Sequence, residues 1–388
     1  MTVVADEFVD LLRRHEKKII IYGAGMVGKN FGSFLCYDCG IQIDNFCDGN
    51  SQLWGEVVEN NIICLSLDEL IKQKEKYMVI IAVGLRKDLE EIDLFFEQNN
   101  VRYYITWLEL IKSSWLKNKF CITEHICELS TINKKYDWKE NYKSPIQKHK
   151  KVAVYTFITK GYDKLHQPLV IDKNTDYYVI SDDQIDDLGI YKQIEVASVV
   201  PQSVKNAFMQ NRYCKMHGAD IFKDYDYSIY LDGALQIAGN ITDYLDQVGK
   251  TGIALYLNED CECIYETGIL ITMVGRCDFK IARSQLNSYA IEGMPANYGL
   301  LCGGYIFRDN KNPIGNKLME SWWNEYQKWP TRDQLCLTYV MWKMRLQLDD
   351  IGIINNGQNR LEDQNIIHHA HCYINRHVLY PQEDGEKR

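Results

Sequence analysis

Gly23, Gly25 and Gly28 form a G-x-G-x-x-G directly after the apolar run Ile19–Tyr22. Asp48 follows the last glycine by about twenty residues, the spacing of a ribose-binding acid. Glycines at such a turn let the backbone approach a pyrophosphate, and the next helix offers its amides. A second group is the histidine run NIIHHAHCY, which holds His368, His369 and His371. On a strand His369 and His371 share one face, and imidazole is a common metal ligand. Arg212 and Lys215 stand three residues apart, on one face of a helix. Asp232 ends the buried run Ser228–Leu231, and Asp333 with Gln334 opens a helix after Pro330. An acid at a helix start is ordinarily a dipole stabiliser worth under ~1 kcal/mol. Asp182 and Asp183 follow the strand Asp176–Ile180, where acids commonly form turns. Cys36 and Cys39 make a C-x-x-C with no second pair, so a zinc ribbon is not expected and two buried thiols are.

The elements that must position these groups alternate strand and helix twice over. The first series has strands at Ile19–Tyr22, Ile41–Phe46, Met78–Val83 and Tyr103–Ile105, with helices at Leu67–Glu75 and Lys87–Asn99. It reads as a small doubly wound, Rossmann-like domain over residues 1–111. Residues 112–151 hold 10 basic and 4 acidic side chains with Tyr136, Trp138 and Tyr142 among them. Residues 112–150 read as a basic linker, with peripheral association with an anionic membrane as the open alternative. The second series has strands at Val152–Phe157, Asp176–Ile180, Ser228–Leu231, Ile253–Leu257 and Gly303–Phe307, and a helix near Asp333–Arg345. It reads as one α/β domain over residues 151–376, followed by a tail, 377–388. Trp322, Trp323, Trp329 and Trp342 resemble a stacking platform for sugars, but aromatics so spaced on helices are more often core.

Composition limits the function. Apolar residues make up 46% and charged residues 25%, close to the globular average. A net charge of −9 argues against a nucleic-acid partner. The 13 scattered cysteines suit reduced thiols. No apolar stretch is long enough to span a bilayer and the first residues lack a signal layout, so a cytoplasmic location is expected.

Two resemblances add to this reading. The first domain is similar to the small nucleotide-binding domain at the front of bacterial sugar acetyltransferases, through IDNFCDGN and Leu67–Leu70. Four segments of the second domain, VAVYTFITKGYDKL (152–165), YCKMHGADIFKDYDYSIYLDGALQI (213–237), EGMPANYGLLCGGYIFRDN (292–310) and ESWWNEYQKWPTRDQLCLTYVMWK (320–343), occur in one order. They resemble the glycosyltransferase family of plant rhamnogalacturonan galacturonosyltransferases of seed mucilage and related bacterial surface-glycan enzymes. That resemblance implies a GT-A-like fold, a UDP-type nucleotide-sugar donor, a glycan or lipid-linked glycan acceptor, and a divalent metal, Mn or Mg. It places Asp232 on metal and nucleotide, although Gly233-Ala234 replaces the second acid of the usual Asp-x-Asp. It has His369 or His371 completing the metal site. It assigns Thr156, Tyr162 and Asp182 to base and ribose, and Arg212 and Lys215 to the donor sugar or phosphate. Asn297 then frames the acceptor side, and Asp333 and Gln334 meet the sugar as catalytic residues. Two other classes stay open: a non-catalytic sugar-nucleotide sensor, and an NAD-dependent oxidoreductase using the amino-terminal glycine turn. Oligomeric state and anomeric outcome are not legible.

Overall fold

A computed structural model describes residues 5–84, 86–123, 126–127, 150–258 and 261–371. Tyr136, Trp138 and Tyr142 and the tail 377–388 lie outside them. The chain divides into two compact units, the first drawn from Met1–Ile132 and Cys261–Tyr298, the second from Asn133–Asp260 and Gly299–Arg388.

The first unit is built on six strands: β1 (Lys18–Tyr22), β2 (Asn45–Cys47), β3 (Val57–Glu59), β4 (Ile62–Leu65), β5 (Tyr77–Ile81) and β6 (Tyr104–Thr106). Their order is β3-β4-β2-β1-β5-β6, parallel except for the β3–β4 hairpin at one edge. The central β5 (YMVII) is buried at every position, as a parallel strand covered by helices on both faces must be. The expected strand at Ile41–Phe46 is shorter than its apolar run and starts only at Asn45.

The boundaries of this unit differ from those drawn on the sequence. Helix Ser114–Cys121 falls in the segment that the sequence reads as linker, yet Leu116, Phe120 and Cys121 are buried. Phe120 meets Phe34 and Phe279 at ring-centroid distances of 6.1 and 5.3 Å. Phe279 belongs to a helix pair, Ile264–Met273 and Phe279–Ile291, that the sequence places in the second domain. Nine of the ten residues of Ile264–Met273 are buried, and Glu266 pairs with the buried Lys117 at 3.3 Å. A salt bridge taken this far from water holds only when its geometry is good, and it ties the inserted helix to the first unit.

The second unit contains β7 (Val152–Phe157), β8 (Thr175–Ile180), β9 (Tyr191–Ile194), β10 (Tyr227–Leu231), β11 (Leu235–Ile237), β12 (Ile253–Leu257), β13 (Leu301–Asp309), β14 (Gly352–Ile353) and β15 (Ile366–His368). Seven form one sheet in the order β14-β12-β13-β10-β7-β8-β9. Strands β10, β7, β8 and β9 are parallel, while β13 runs antiparallel between β10 and β12. Strand β7 (VAVYTF) is buried throughout, and its core includes Val154, Val179, Ile229, Tyr256 and Phe307. The sheet order reverses beside β7, and the carboxyl ends of β7 and β10 are therefore the usual ligand position of an open α/β sheet. This α/β unit has the GT-A-like arrangement that the four motifs imply. A separate antiparallel pair, β11 with β15, brings the histidine run back beside that edge. No described helix is long and apolar enough to cross a membrane.

Candidate functional site

The residues at the carboxyl end of β10 build a dense charged cluster. Lys215 sits near the end of helix Ala207–Met216 and is 2% exposed. Its ammonium donates to Asp333 Oδ2 at 2.7 Å and lies 3.8 Å from Asp232 Oδ1. Arg212, one turn earlier on the same face, brings its Nε to 3.6 Å from the same Asp333 oxygen. Asp333 is 5% exposed at the start of helix Asp333–Lys343. Burial pushes its carboxyl up, but Lys215, Arg212 and Arg332 outweigh burial and hold it well below the ordinary carboxylate range. Asp333 is therefore an ionised, caged carboxylate. The structure brings Lys215 and Arg212, on one helix, against Asp333, on a helix more than a hundred residues later, a pairing that the sequence reading does not include.

Several further residues hold this cluster. Trp322, fully buried, donates its indole N–H to the Asp333 carbonyl at 2.7 Å and fixes the helix start. The Trp322 and Trp323 rings are core, as their helical spacing suggested. Tyr230 is in β10, two residues before Asp232, which directly follows the strand. Its hydroxyl donates to Asp232 Oδ1 at 2.8 Å and receives Asn211 Nδ2 at 3.0 Å. Burial, then the Asp232 charge, push the Tyr230 phenol far up, so it stays a donor. Arg308, also fully buried, donates to the Lys215 carbonyl at 2.7 Å. Strand β13 makes room: a Cβ at Gly304 would come within 2.8 Å of Asp232 Oδ2, and one at Gly303 within 3.4 Å of Asp333 Oδ2. Gln334 uses its amide on the Leu301 carbonyl at 3.3 Å, at the start of β13. Tyr230 and Trp322 lie within two of the four motif segments, but the sequence reading gives neither a role in holding Asp232 or Asp333. An i, i+2 relation to a strand-end acid was the available sign for Tyr230.

The remaining sequence candidates divide. Thr156 closes β7, 7% exposed, and its hydroxyl has no partner among the described residues. Tyr162 lies within charge range of Asp163, Arg332, Arg212 and Asp232; burial first, then Asp163, raise its phenol. Asp182 accepts the Val196 amide at 2.9 Å, and Asp183 accepts the Lys160 and Gly161 amides, each at 2.8 Å. Both acids thus close loops, as strand-end acids commonly do. Asn297, with a φ of 59°, belongs to the first unit.

The residues expected to hold a divalent metal do not fit one. Strand β15 stops at His368, so the two histidines beyond it do not share a strand face. His369 stacks on His166 with centroids 3.7 Å apart and meets Gln236 Oε1 at 2.9 Å. His371 pairs with Asp163 at 2.8 Å. Asp232 has Tyr230 and Lys215 on one oxygen and Ala234 where a second acid would stand. A hard cation needs several oxygen or imidazole donors at about 2–2.6 Å. Among the described residues no three histidine, cysteine or acidic side chains converge in that way.

In the first unit the glycine turn has a packing explanation. Gly23 takes a φ of +109°, and a Cβ there would meet the Ala82 carbonyl at 2.6 Å. A Cβ at Gly28 would meet the Gly23 carbonyl at 1.7 Å, whereas Gly25 faces open space. Asp48 is bound into the loop itself, accepting the Ala24 amide at 2.7 Å and the Asn50 amide at 2.8 Å. The turn is folded as expected; its glycines serve helix–strand contact at Gly23 and Gly28.

Comparison with known proteins finds a match to the TOD1/MUCI70, glycosyltransferase-like domain over residues 130–361, more than half of the chain. No curated protein matches. Among solved structures the chain is similar to the apo form of the bifunctional glycosyltransferase WbbM, with 16% identity and a TM-score of 0.31, over 50% of this chain and 38% of that one. Mouse xyloside xylosyltransferase 1 shares 12% identity at a TM-score of 0.31, over 50% of this chain and 83% of that chain. The galactosyltransferase LgtC, with donor and acceptor sugar analogues, shares 12% identity at a TM-score of 0.29, over 48% and 70%.

Proposed function

Because the chain belongs to the TOD1/MUCI70 glycosyltransferase-like family, we propose that its second unit transfers a sugar from a nucleotide-diphosphate donor, of the UDP type, to a glycan hydroxyl. The observation that carries this reading is the buried Lys215–Asp333–Arg212 cluster beside Asp232, at the carboxyl ends of β7 and β10. Fixed donors held in a site of low dielectric stabilise the charge that develops on a departing diphosphate. Lys215 and Arg212 supply those donors. Asp333, kept ionised and immobile, is suited to orient the sugar hydroxyls and to face the oxocarbenium-like centre. Tyr230 keeps Asp232 aimed outward, its carboxylate 43% exposed and within reach of a ligand. Gln334 stands next in line on the same helix start. The glycan product suits surface polysaccharide synthesis, with the donor drawn from the cytoplasm.

A panel of nucleotide sugars offered to the full chain, with release of free UDP followed over time, tests this reading. At least one donor is expected to release UDP, and Lys215→Met is expected to abolish that release. The Ala234 replacement of a second acid favours one other reading, a sensor that binds sugar nucleotides without turnover. Saturable binding with flat UDP traces for every donor would select it.

A further inference from the structure

The cluster leaves one cation over. Lys215 and Arg212 are matched by Asp333 and Asp232, and Asp163 is taken by His371. Arg332, immediately before Asp333, has neither an ion pair nor a side-chain hydrogen bond among the described residues, and its Nε is buried without a partner. Arg212 Nε, 3.6 Å from Asp333 Oδ2, also lacks a hydrogen bond, as do the buried Arg308 Nε and Thr156 Oγ1. Arg332 lies close enough to act electrostatically on both Asp333 and Tyr162, and Arg212 acts on the same two groups. Buried polar atoms left unpaired are rare in folded proteins, and each calls for a partner that the chain itself does not supply. Two of them, on Arg332 and Arg212, both within charge range of Asp333 and Tyr162, point to a missing anionic ligand. Arginine is the side chain that meets phosphate or carboxylate with a planar fork, and it gives up water more readily than lysine.

We infer that Arg332 is a donor-binding residue that, with Arg212, holds an anionic oxygen of the donor: either the diphosphate or a carboxylate on the sugar ring. The inference rests on the glycosyltransferase reading above and deepens it. The diphosphate is the source common to every nucleotide sugar. A ring carboxylate is the source for which Arg332, next to the sugar-facing Asp333, would set specificity.

Calorimetric titration of the full chain with UDP, UDP-galactose and UDP-galacturonate separates these sources, on wild type, Arg332→Gln and Arg332→Lys, with a thermal melt of each. If the diphosphate is held, Arg332→Gln weakens all three ligands alike by about tenfold or more, the scale of one charge-assisted hydrogen bond. If the sugar carboxylate is held, UDP and UDP-galactose bind as in wild type and UDP-galacturonate alone weakens by that factor. Arg332→Lys keeps the charge without the fork and falls between, and it decides the matter if the glutamine variant does not fold. Wild-type affinity for all three ligands in a folded variant overturns the inference and leaves the enzyme reading intact. A wild-type chain that binds none of the three overturns both.

Discussion

Asp333 is where a helix-start acid and a catalytic acid look alike in sequence and differ in structure. An exposed acid at a helix start contributes little, but this one is buried against two cations. Removing one partner of such a pair costs about 3–5 kcal/mol, because the opposite charge stays buried without compensation. Asp333→Asn is thus expected to lower the melting temperature and also to cut turnover by about a hundredfold or more. The two effects separate by pH. The folded carboxyl sits below its unfolded value near 4, so its stabilisation is complete above that value and declines as pH falls toward the folded one. The stability gap between wild type and Asp333→Asn should therefore narrow from about pH 5 to about pH 3 in denaturant titrations. A gap that widens in acid would contradict the cage. Gly304 allows a second test at this scale. An added methyl would press on Asp232 Oδ2 at 2.8 Å and on nothing else at that distance. Gly304→Ala should leave the melt nearly unchanged and weaken UDP binding, and unchanged affinity would remove Asp232 from the donor site.

Among the elements, the glycine turn of the first unit separates packing from binding. Gly28→Ala places a methyl into the Gly23 carbonyl and should destabilise the unit by a few kcal/mol, the scale of forced overpacking. Gly25→Ala points into open space at the helix start and should leave stability within about 0.5 kcal/mol, as substitutions away from any contact usually do. Thermal melts of the two variants check both. Legibility followed burial pattern. Strands such as KIIIY and VAVYTF are apolar runs buried on both faces, and their positions agree with the sequence reading to within a residue or two. Helix Ile264–Met273 was not legible because it is buried all round and shows no amphipathic stripe. Lys215, Arg212 and Asp333 are singled out in the sequence by their spacing and by the segments 213–237 and 320–343. Their burial, and the support from Tyr230 and Trp322, were not legible, because both depend on contacts between distant elements. The proposed metal ligands do not converge, because β15 ends at His368, one residue before the first of the two histidines.

At the scale of the whole molecule, the chain leaves the second unit after β12 and returns at β13, and the helices in between complete the first unit. Deleting residues 1–149 would strip Ile264–Met273 and Phe279–Ile291 of Phe34, Lys117 and Phe120, exposing apolar surface and the Glu266 carboxylate. A 150–388 fragment is expected to aggregate or to melt without a cooperative transition, although all of its sugar-site motifs are present. A monomeric, cooperatively melting fragment would show the first unit to be dispensable. The two units also offer two places for a nucleotide, the glycine turn and the strand-end cluster. A crystal structure of the full chain soaked with UDP tests the central claim most directly. The account predicts the diphosphate beside Asp232 and Arg212 at the carboxyl ends of β7 and β10. Ordered UDP at Gly23–Gly28, with the cluster around Asp333 unchanged and without ligand, would contradict it.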